Sequence, residues 1–509
     1  MIIDLSNTAI ESLSMFPNVV EMYALNCEFR VDNSMTGKVL SNTVTELILI
    51  DKCNSFNFIE NNAFPNLSTM ILSDMCLEFQ LNLYHLKHLS TLAFKNIFVK
   101  YTDSMEIILP DFVKIISFRK TNAFKYIKKA CGDLLNIDKN QITSLCYLDN
   151  YKFNNIWILN CMSNEFVINN THVRNIKFNK MTFNNVAINC PKVKNIIIQG
   201  KSKINSLSIH CPNTRFFNSS DNQISHLSIT SQKYLEIYAI LCELKTIHLN
   251  TPNLFKLAVN DNNLSSIDLT NFNKLSALSI SRNNIEELII NSLEIERIIA
   301  NSNKLKILKI NSCSDKYSVV TGPKIDILEI SSNHLTTLKI VCPKLTILEA
   351  HHNKIYKVEF SFCGKLEILN LEFNQIFLRH NIVIPNNSNS IKKLHARHNP
   401  CFKKTNRLSN WEVYIKWIES KLSIDYCLVC MRRMYDYGIS LNCKHTYCYN
   451  CIENLISKPE KLSQCTICKK DIIFAELLGS FLDYRSTYPD HPTVNNCIDL
   501  CVFLQKNIQ

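Results

Sequence analysis

Glycine is nearly missing from this chain, with 7 residues in 509, about 1.4% where ~7% is usual. The seven (Gly37, Gly132, Gly200, Gly322, Gly364, Gly438 and Gly479) are scattered singly. Dinucleotide fingerprints and phosphate-binding loops need clustered glycines so that backbone amides can close on phosphate, which excludes both classes. Neither a G-x-S-x-G elbow nor an H-E-x-x-H helix occurs, so the local signatures of serine hydrolases and zincins are absent. Long apolar runs are lacking as well. No stretch of about eighteen uninterrupted apolar residues is found, so no spanning helix and no membrane partner is expected. The first thirteen residues have no basic leader and are broken by Asp4 and Glu11. They do not read as an export signal.

What is present describes a folded protein. Apolar residues make up 46% and charged residues 20%, the balance of a globular chain. The net charge of +12 comes from 56 basic and 44 acidic residues that alternate without long like-sign blocks. That pattern implies a solvated surface rather than a nucleic-acid arm, so nucleic acid is not expected as the main partner. With no export signal, the 22 cysteines are expected to be core thiols or metal ligands in a reducing, cytoplasmic compartment.

The main organising feature is a period of 20 to 21 residues with the form L-x-x-L-x-L-x-x-N-x-L. It is clear at Leu254, Leu257, Val259, Asn262 and Leu264, and again at Leu275, Leu278, Ile280, Asn283 and Ile285. The pattern returns at 295–305, 325–335, 345–355 and 366–376. Its ninth position carries Asn222, Cys242, Asn262, Asn283, Asn303, Asn333, Asn353, Asn374 and Asn399. Weaker copies run upstream through Lys201, Met181, Cys161 and Asn140 toward Cys27 and Thr8. Each unit holds too few apolar residues to bury a core alone, so stacked copies must share one. The asparagine is suited to satisfy backbone groups that the stack buries. On these residues, 1–400 resembles the leucine-rich-repeat family, irregular over 1–140 and regular over 140–400. The resemblance implies an α/β repeat solenoid with a curved parallel sheet.

Positions three, five and seven of such a unit point to the concave face. In the C-terminal units this gives Ile327, Ile347 and Ile368 in one column, and Glu329, Glu349 and Asn370 in the next. A third column runs Ser331, His351, Glu372. Isoleucines beside acids make this the candidate docking surface for a basic or mixed protein substrate. After the last repeat, Trp411, Ile415, Ile418 and Leu422 stand at helical spacing behind Ser409 as N-cap. Residues 401–424 are therefore expected to form a helical cap and linker over the open end of the core.

The chemistry lies further on. Cys427, Cys430, Cys443, His445, Cys448, Cys451, Cys465 and Cys468 supply eight soft or borderline donors in 42 residues. Zinc takes four such donors in a tetrahedron, and each C-x-x-C offers two from one turn. Eight donors make two closed, structural zinc sites. The order resembles the C3HC4 RING finger family over 425–470. The resemblance implies interleaved binding, with Cys427, Cys430, Cys448 and Cys451 on one Zn2+ and Cys443, His445, Cys465 and Cys468 on the other. It also implies ubiquitin-ligase activity without a nucleophile, through a ubiquitin-charged conjugating enzyme held in an attack-ready pose. Val429 and Leu455 match the family's apolar groove for that enzyme, and Lys469 stands where an arginine often reaches both enzyme and ubiquitin. Thr466 departs from the usual proline, and Lys469 lacks arginine's planar fork. A non-catalytic protein-binding adaptor with a structural zinc module is the alternative. The tail 471–509 adds His491, Cys497 and Cys501, too few for a site. Arginine is scarce beside lysine, isoleucine and asparagine, a bias in keeping with an AT-rich genome such as that of a large insect DNA virus.

Overall fold

The computed structural model describes residues 42–50, 64–100 except 79, 106–138 except 128, 151–312, 317–377, 381–383 and 391–400. It also describes short pieces of residues 2–29 and the pairs 439–440 and 446–447. The chain divides into two compact units, Met1–Phe402 and Lys403–Gln509.

The first unit is a solenoid built on one 19-stranded parallel sheet. Its strands follow one another in chain order, from Ile2–Asp4, Glu21–Leu25 and Glu46–Ile50 to Ile347–Glu349, Ile368–Asn370 and Lys393–His395. The irregular N-terminal stretch therefore joins the same sheet as the regular repeats. From Ala277–Ser279 onward each strand of the long sheet is three residues long with its middle residue buried, as in Ile327–Glu329 and Ile347–Glu349. Period-2 alternation sends Leu278, Ile298, Leu328, Leu348 and Leu369 into the core and their neighbours outward.

The parallel sheet expected of a leucine-rich-repeat solenoid is present, but the expected α component is not found among the described residues. Among the described residues there is no α-helix, and a 3-10 turn stands at Ala123–Tyr126. The return side is made of strands. Five pair in parallel, from Met162–Ile168 through Thr182–Ile188, Lys203–His210 and Gln223–Thr230 to Thr246–Asn250. Six more run from Glu287–Ile290 to Ile382–Val383. The reason is local. A segment such as Lys203–His210 buries Ile204, Leu207 and Ile209 and exposes its two ends. Alternating β-branched and polar residues in a short return fit a pleated strand better than a helix. The two return sheets are separated at 265–272, where one bridge, Leu269 to Ile290, is made.

Turns between the sheets need a left-handed residue, and glycine is not there to supply it. Positive φ falls instead on Asp221, Leu241, Asp261, Arg282, Ser302, Ser332, His352, Phe373 and His398, each just before the ninth position. That asparagine then locks the turn. Asn283 Nδ2 donates to the carbonyls of Val259 at 2.9 Å and Ile280 at 3.0 Å, while its Oδ1 accepts from Leu264 N at 3.1 Å. Asn262, Asn303, Asn333, Asn353, Asn374 and Asn399 each repeat the bond to the preceding unit. Upstream, one assignment shifts. Lys201 is not in the slot; Gly200 and Lys201 both have positive φ, which lengthens the turn by one residue and places Ser202 there. Still earlier the slot holds buried Met75, Ile97 and Met181, where apolar packing replaces the ladder, while Cys161 keeps a weak bond from its thiol to the Ile137 carbonyl of the preceding unit. Asn140, Cys27 and Thr8, and the cap over 411–422, lie outside the described residues.

Candidate docking face and zinc module

Register decides which side chains meet on the outward face of the long sheet. Ile327 pairs with Ile347 and then Ile368, and Glu329 with Glu349 and then Asn370. The first two expected columns are therefore real, and all six side chains are half-buried between neighbouring repeats. The third column is only partly so. His351 and Glu372 are half-buried, but Ser331 is 4% exposed. Its amide donates to Asn301 Oδ1 at 2.8 Å, which turns the residue into the stack.

One acid of this face is partly neutralised. Glu329 accepts from Asn301 Nδ2 at 3.1 Å and lies 3.8 Å from Arg297, which occupies the isoleucine column one repeat earlier. Glu349 lies 4.0 Å from His351. Burial lowers the His351 pKa, with Glu349 opposing and His352 adding to the shift. His351 and His352 share a hydrogen bond between their Nδ1 atoms at 2.9 Å.

Two features of the face were not read from the sequence. The first is a ring stack at the C-terminal end. His352, Phe373 and His398 lie nearly parallel, with centroids 4.2 and 4.1 Å apart. Their signal was available, since each immediately precedes a ladder asparagine. The second is a run of cations at residues 174–215, whose effect depends on register and is developed below.

Elsewhere, the eight described cysteines are free thiols. Burial pushes Cys211 and Cys242 up to about 11 and Cys342 to about 12. Such thiols are inert core residues, neither nucleophiles nor ligands. No group of three or more His, Cys, Asp or Glu residues suited to a metal occurs among the described residues. The donor set expected to bind zinc belongs to the second unit. There Ile439–Ser440 pairs antiparallel with Thr446–Tyr447, Ile439 opposite Tyr447. This hairpin brackets Cys443 and His445 in sequence. The eight expected ligands, and Val429, Leu455, Thr466 and Lys469, lie outside the described residues. Seven thiols and one imidazole, grouped in pairs, are the donors zinc prefers.

Residues 423–474 match the family model for the zinc finger of C3HC4 type, the RING finger. No curated protein matches the chain in sequence. Among solved structures, the chain is similar to YopM from Yersinia enterocolitica at 15% identity and a TM-score of 0.32, covering 73% of this chain and 87% of that one. YopM from Yersinia pestis, a leucine-rich effector protein, is similar at 17% identity and 0.34, covering 76% and 85%. A leucine-rich-repeat protein of Leptospira interrogans gives 16% and 0.31, covering 71% and 99%. The chain joins a parallel β-solenoid with a leucine-rich period of 20 to 21 residues to a C-terminal segment that matches the zinc finger of C3HC4 type.

Proposed function

We propose that this protein is a RING-type ubiquitin ligase whose repeat array binds a protein substrate. The observation that carries the reading is the C3HC4 donor set at 427–468 on a chain that also holds a long recognition solenoid. In this reading two Zn2+ ions fix the RING, one on Cys427, Cys430, Cys448 and Cys451, the other on Cys443, His445, Cys465 and Cys468. The ions are structural. Val429, Leu455 and Thr466 form the contact surface for the conjugating enzyme. Lys469 steadies the charged enzyme and its ubiquitin, so that the thioester is held for attack by a substrate lysine. The gain is orientation, with no covalent intermediate on this chain. Ile327, Glu329, Ile347, Glu349, His351, Ile368, Asn370 and Glu372 are the proposed substrate contacts. The free buried thiols support a reducing, cytoplasmic setting.

The adaptor reading draws on Thr466 and Lys469, which weaken two of the family's usual contacts. An in vitro discharge assay with a panel of ubiquitin-charged conjugating enzymes separates the two. A ligase speeds discharge onto free lysine with at least one enzyme. Val429→Ala or Leu455→Ala then slows it by about tenfold or more, at a cost of ~1 to 3 kcal/mol in the interface, with zinc content unchanged. No discharge across the panel establishes the adaptor.

A further inference from the structure

Charge is unevenly distributed along this chain. Residues 151–216 hold nine basic residues and one acid, Glu165. That acid belongs to the return strand Met162–Ile168, in the other sheet. On the outward side of the long sheet, register lines the cations up. Lys194 N donates to Arg174 O at 2.7 Å and Arg215 N to Lys194 O at 2.8 Å, so Arg174, Lys194 and Arg215 begin three consecutive rungs. Strand spacing places them ~4.8 Å apart along one edge. All three are exposed, and no ion pair joins any of them to another described residue. Lys177 stands in the middle of the same face, 5.2 Å above the Trp157 ring. Lys180 and Lys201, both with positive φ, mark the opposite edge. The floor between is polar and fixed. Asn175 donates to Asn155 at 2.8 Å and Asn195 to Asn175 at 2.7 Å.

Like charges held this close without counter-ions oppose the fold, so packing does not account for them. We propose that this face, from Arg174 to Arg215, is a docking site for an acidic segment of a partner protein. The inference deepens the substrate-binding reading of the array and rests on it. A polypeptide is favoured over a nucleic acid by two observations. Free ring faces for base stacking are scarce: Trp157 lies under Lys177, and Phe216 packs on Tyr238 at 5.7 Å, whose hydroxyl is held by Glu236 at 2.9 Å. Further along the same face, past Lys256 and Arg297, Glu329 and Glu349 stand in successive rungs. A phosphate chain following the sheet meets repulsion there. A short run of aspartate and glutamate does not extend that far, and a partner carrying a basic patch beside it would engage both halves.

The test uses the full chain and fluorescence anisotropy with three probes of about twelve units: an Asp/Glu-rich peptide, a neutral peptide of the same length, and oligothymidylate. The acidic peptide should bind best, and its affinity should fall by about tenfold or more between ~50 and ~300 mM salt. The triple variant Arg174→Glu/Lys194→Glu/Arg215→Glu should lose binding by about tenfold or more. Arg174→Gln/Lys194→Gln/Arg215→Gln, milder toward folding, should show an intermediate loss. Lys309→Glu/Lys339→Glu, on the return strands, should leave affinity within about twofold, and circular dichroism should be the same for all. Tighter binding of the oligonucleotide overturns the proposal, as does equal binding by the triple variant or no binding of the acidic peptide. Salt-labile self-association that displaces the peptide assigns the face to a second copy instead. None of these outcomes depends on ubiquitin discharge, so failure of the ligase reading is seen separately.

Discussion

Asn283 shows what one residue does in this stack. The residue is 6% exposed and its amide connects two consecutive turns, bonding Val259 and Leu264 in one and Ile280 in its own. Asn283→Ala leaves a buried N–H and a buried carbonyl without partners, each worth roughly 1 to 3 kcal/mol. Urea unfolding should show a loss of about 2 to 4 kcal/mol. Leu241 presents the opposite case. It is 53% exposed with φ of 55°, in a region that disfavours a branched side chain. Leu241→Gly relieves about 1 kcal/mol of left-handed strain and should raise stability in the same assay. The buried thiols set an alkaline limit. Cys211, Cys242 and Cys342 are pushed by burial from 9.0 to about 11, 11 and 12. The unfolded chain therefore releases these protons first. Their contribution is whole below about pH 9 and is lost as pH rises toward 11 to 12. The melting temperature should hold to about pH 9 and then fall, and Cys342→Ala should flatten the decline.

At the scale of elements, the close approach of neighbouring strands is set at Gly132, within Ala130–Asp138. A Cβ there would lie 1.9 Å from the Val113 carbonyl oxygen and 2.8 Å from the Phe153 ring. Gly132→Ala must push the strand away from its neighbours, an overpacking cost of about 1 to 3 kcal/mol or more. The expected result is a lower melting temperature with far-UV circular dichroism retained. The long sheet was legible from the sequence because leucine, isoleucine and asparagine recur in fixed register, and the columns Ile327, Ile347, Ile368 and Glu329, Glu349, Asn370 followed directly. The return strands were not. Family resemblance suggested helix, while the alternation in Lys203–His210 that argues for strand lies outside the repeat signature. Ser331 was misplaced for a related reason. Period-2 reasoning holds inside the strand, but Ser331 is past its end, where the Asn301 side chain redirects the backbone. The cationic face was hidden because its residues are about twenty apart in sequence and meet only through register.

For the whole molecule, the division at Phe402 leads to the prediction that each unit folds by itself. A fragment beginning near residue 420 should bind two zinc ions by elemental analysis. A chelator should unfold it, since metal binding and folding are coupled in such small domains. The array should be indifferent to the chelator. A fragment ending at residue 402 should keep its parallel sheet, and one extended to 424 should aggregate less if residues 411–422 cover the last core layer.

The asparagine ladder also makes the array legible to hydrogen exchange. The amides of Leu264, Ile285, Leu305, Leu335, Ile355 and Ile376 each donate to the asparagine of the following repeat. Each of these protons is therefore protected by a residue one turn further along, not by its own turn. If the stack opens from its C-terminal end, Ile376 should exchange first, because Asn399 departs before it, and the others should follow in reverse order. Opening from the N-terminal side would leave Ile376 until last. One set of six peptide amides thus reports from which end a one-dimensional protein comes apart.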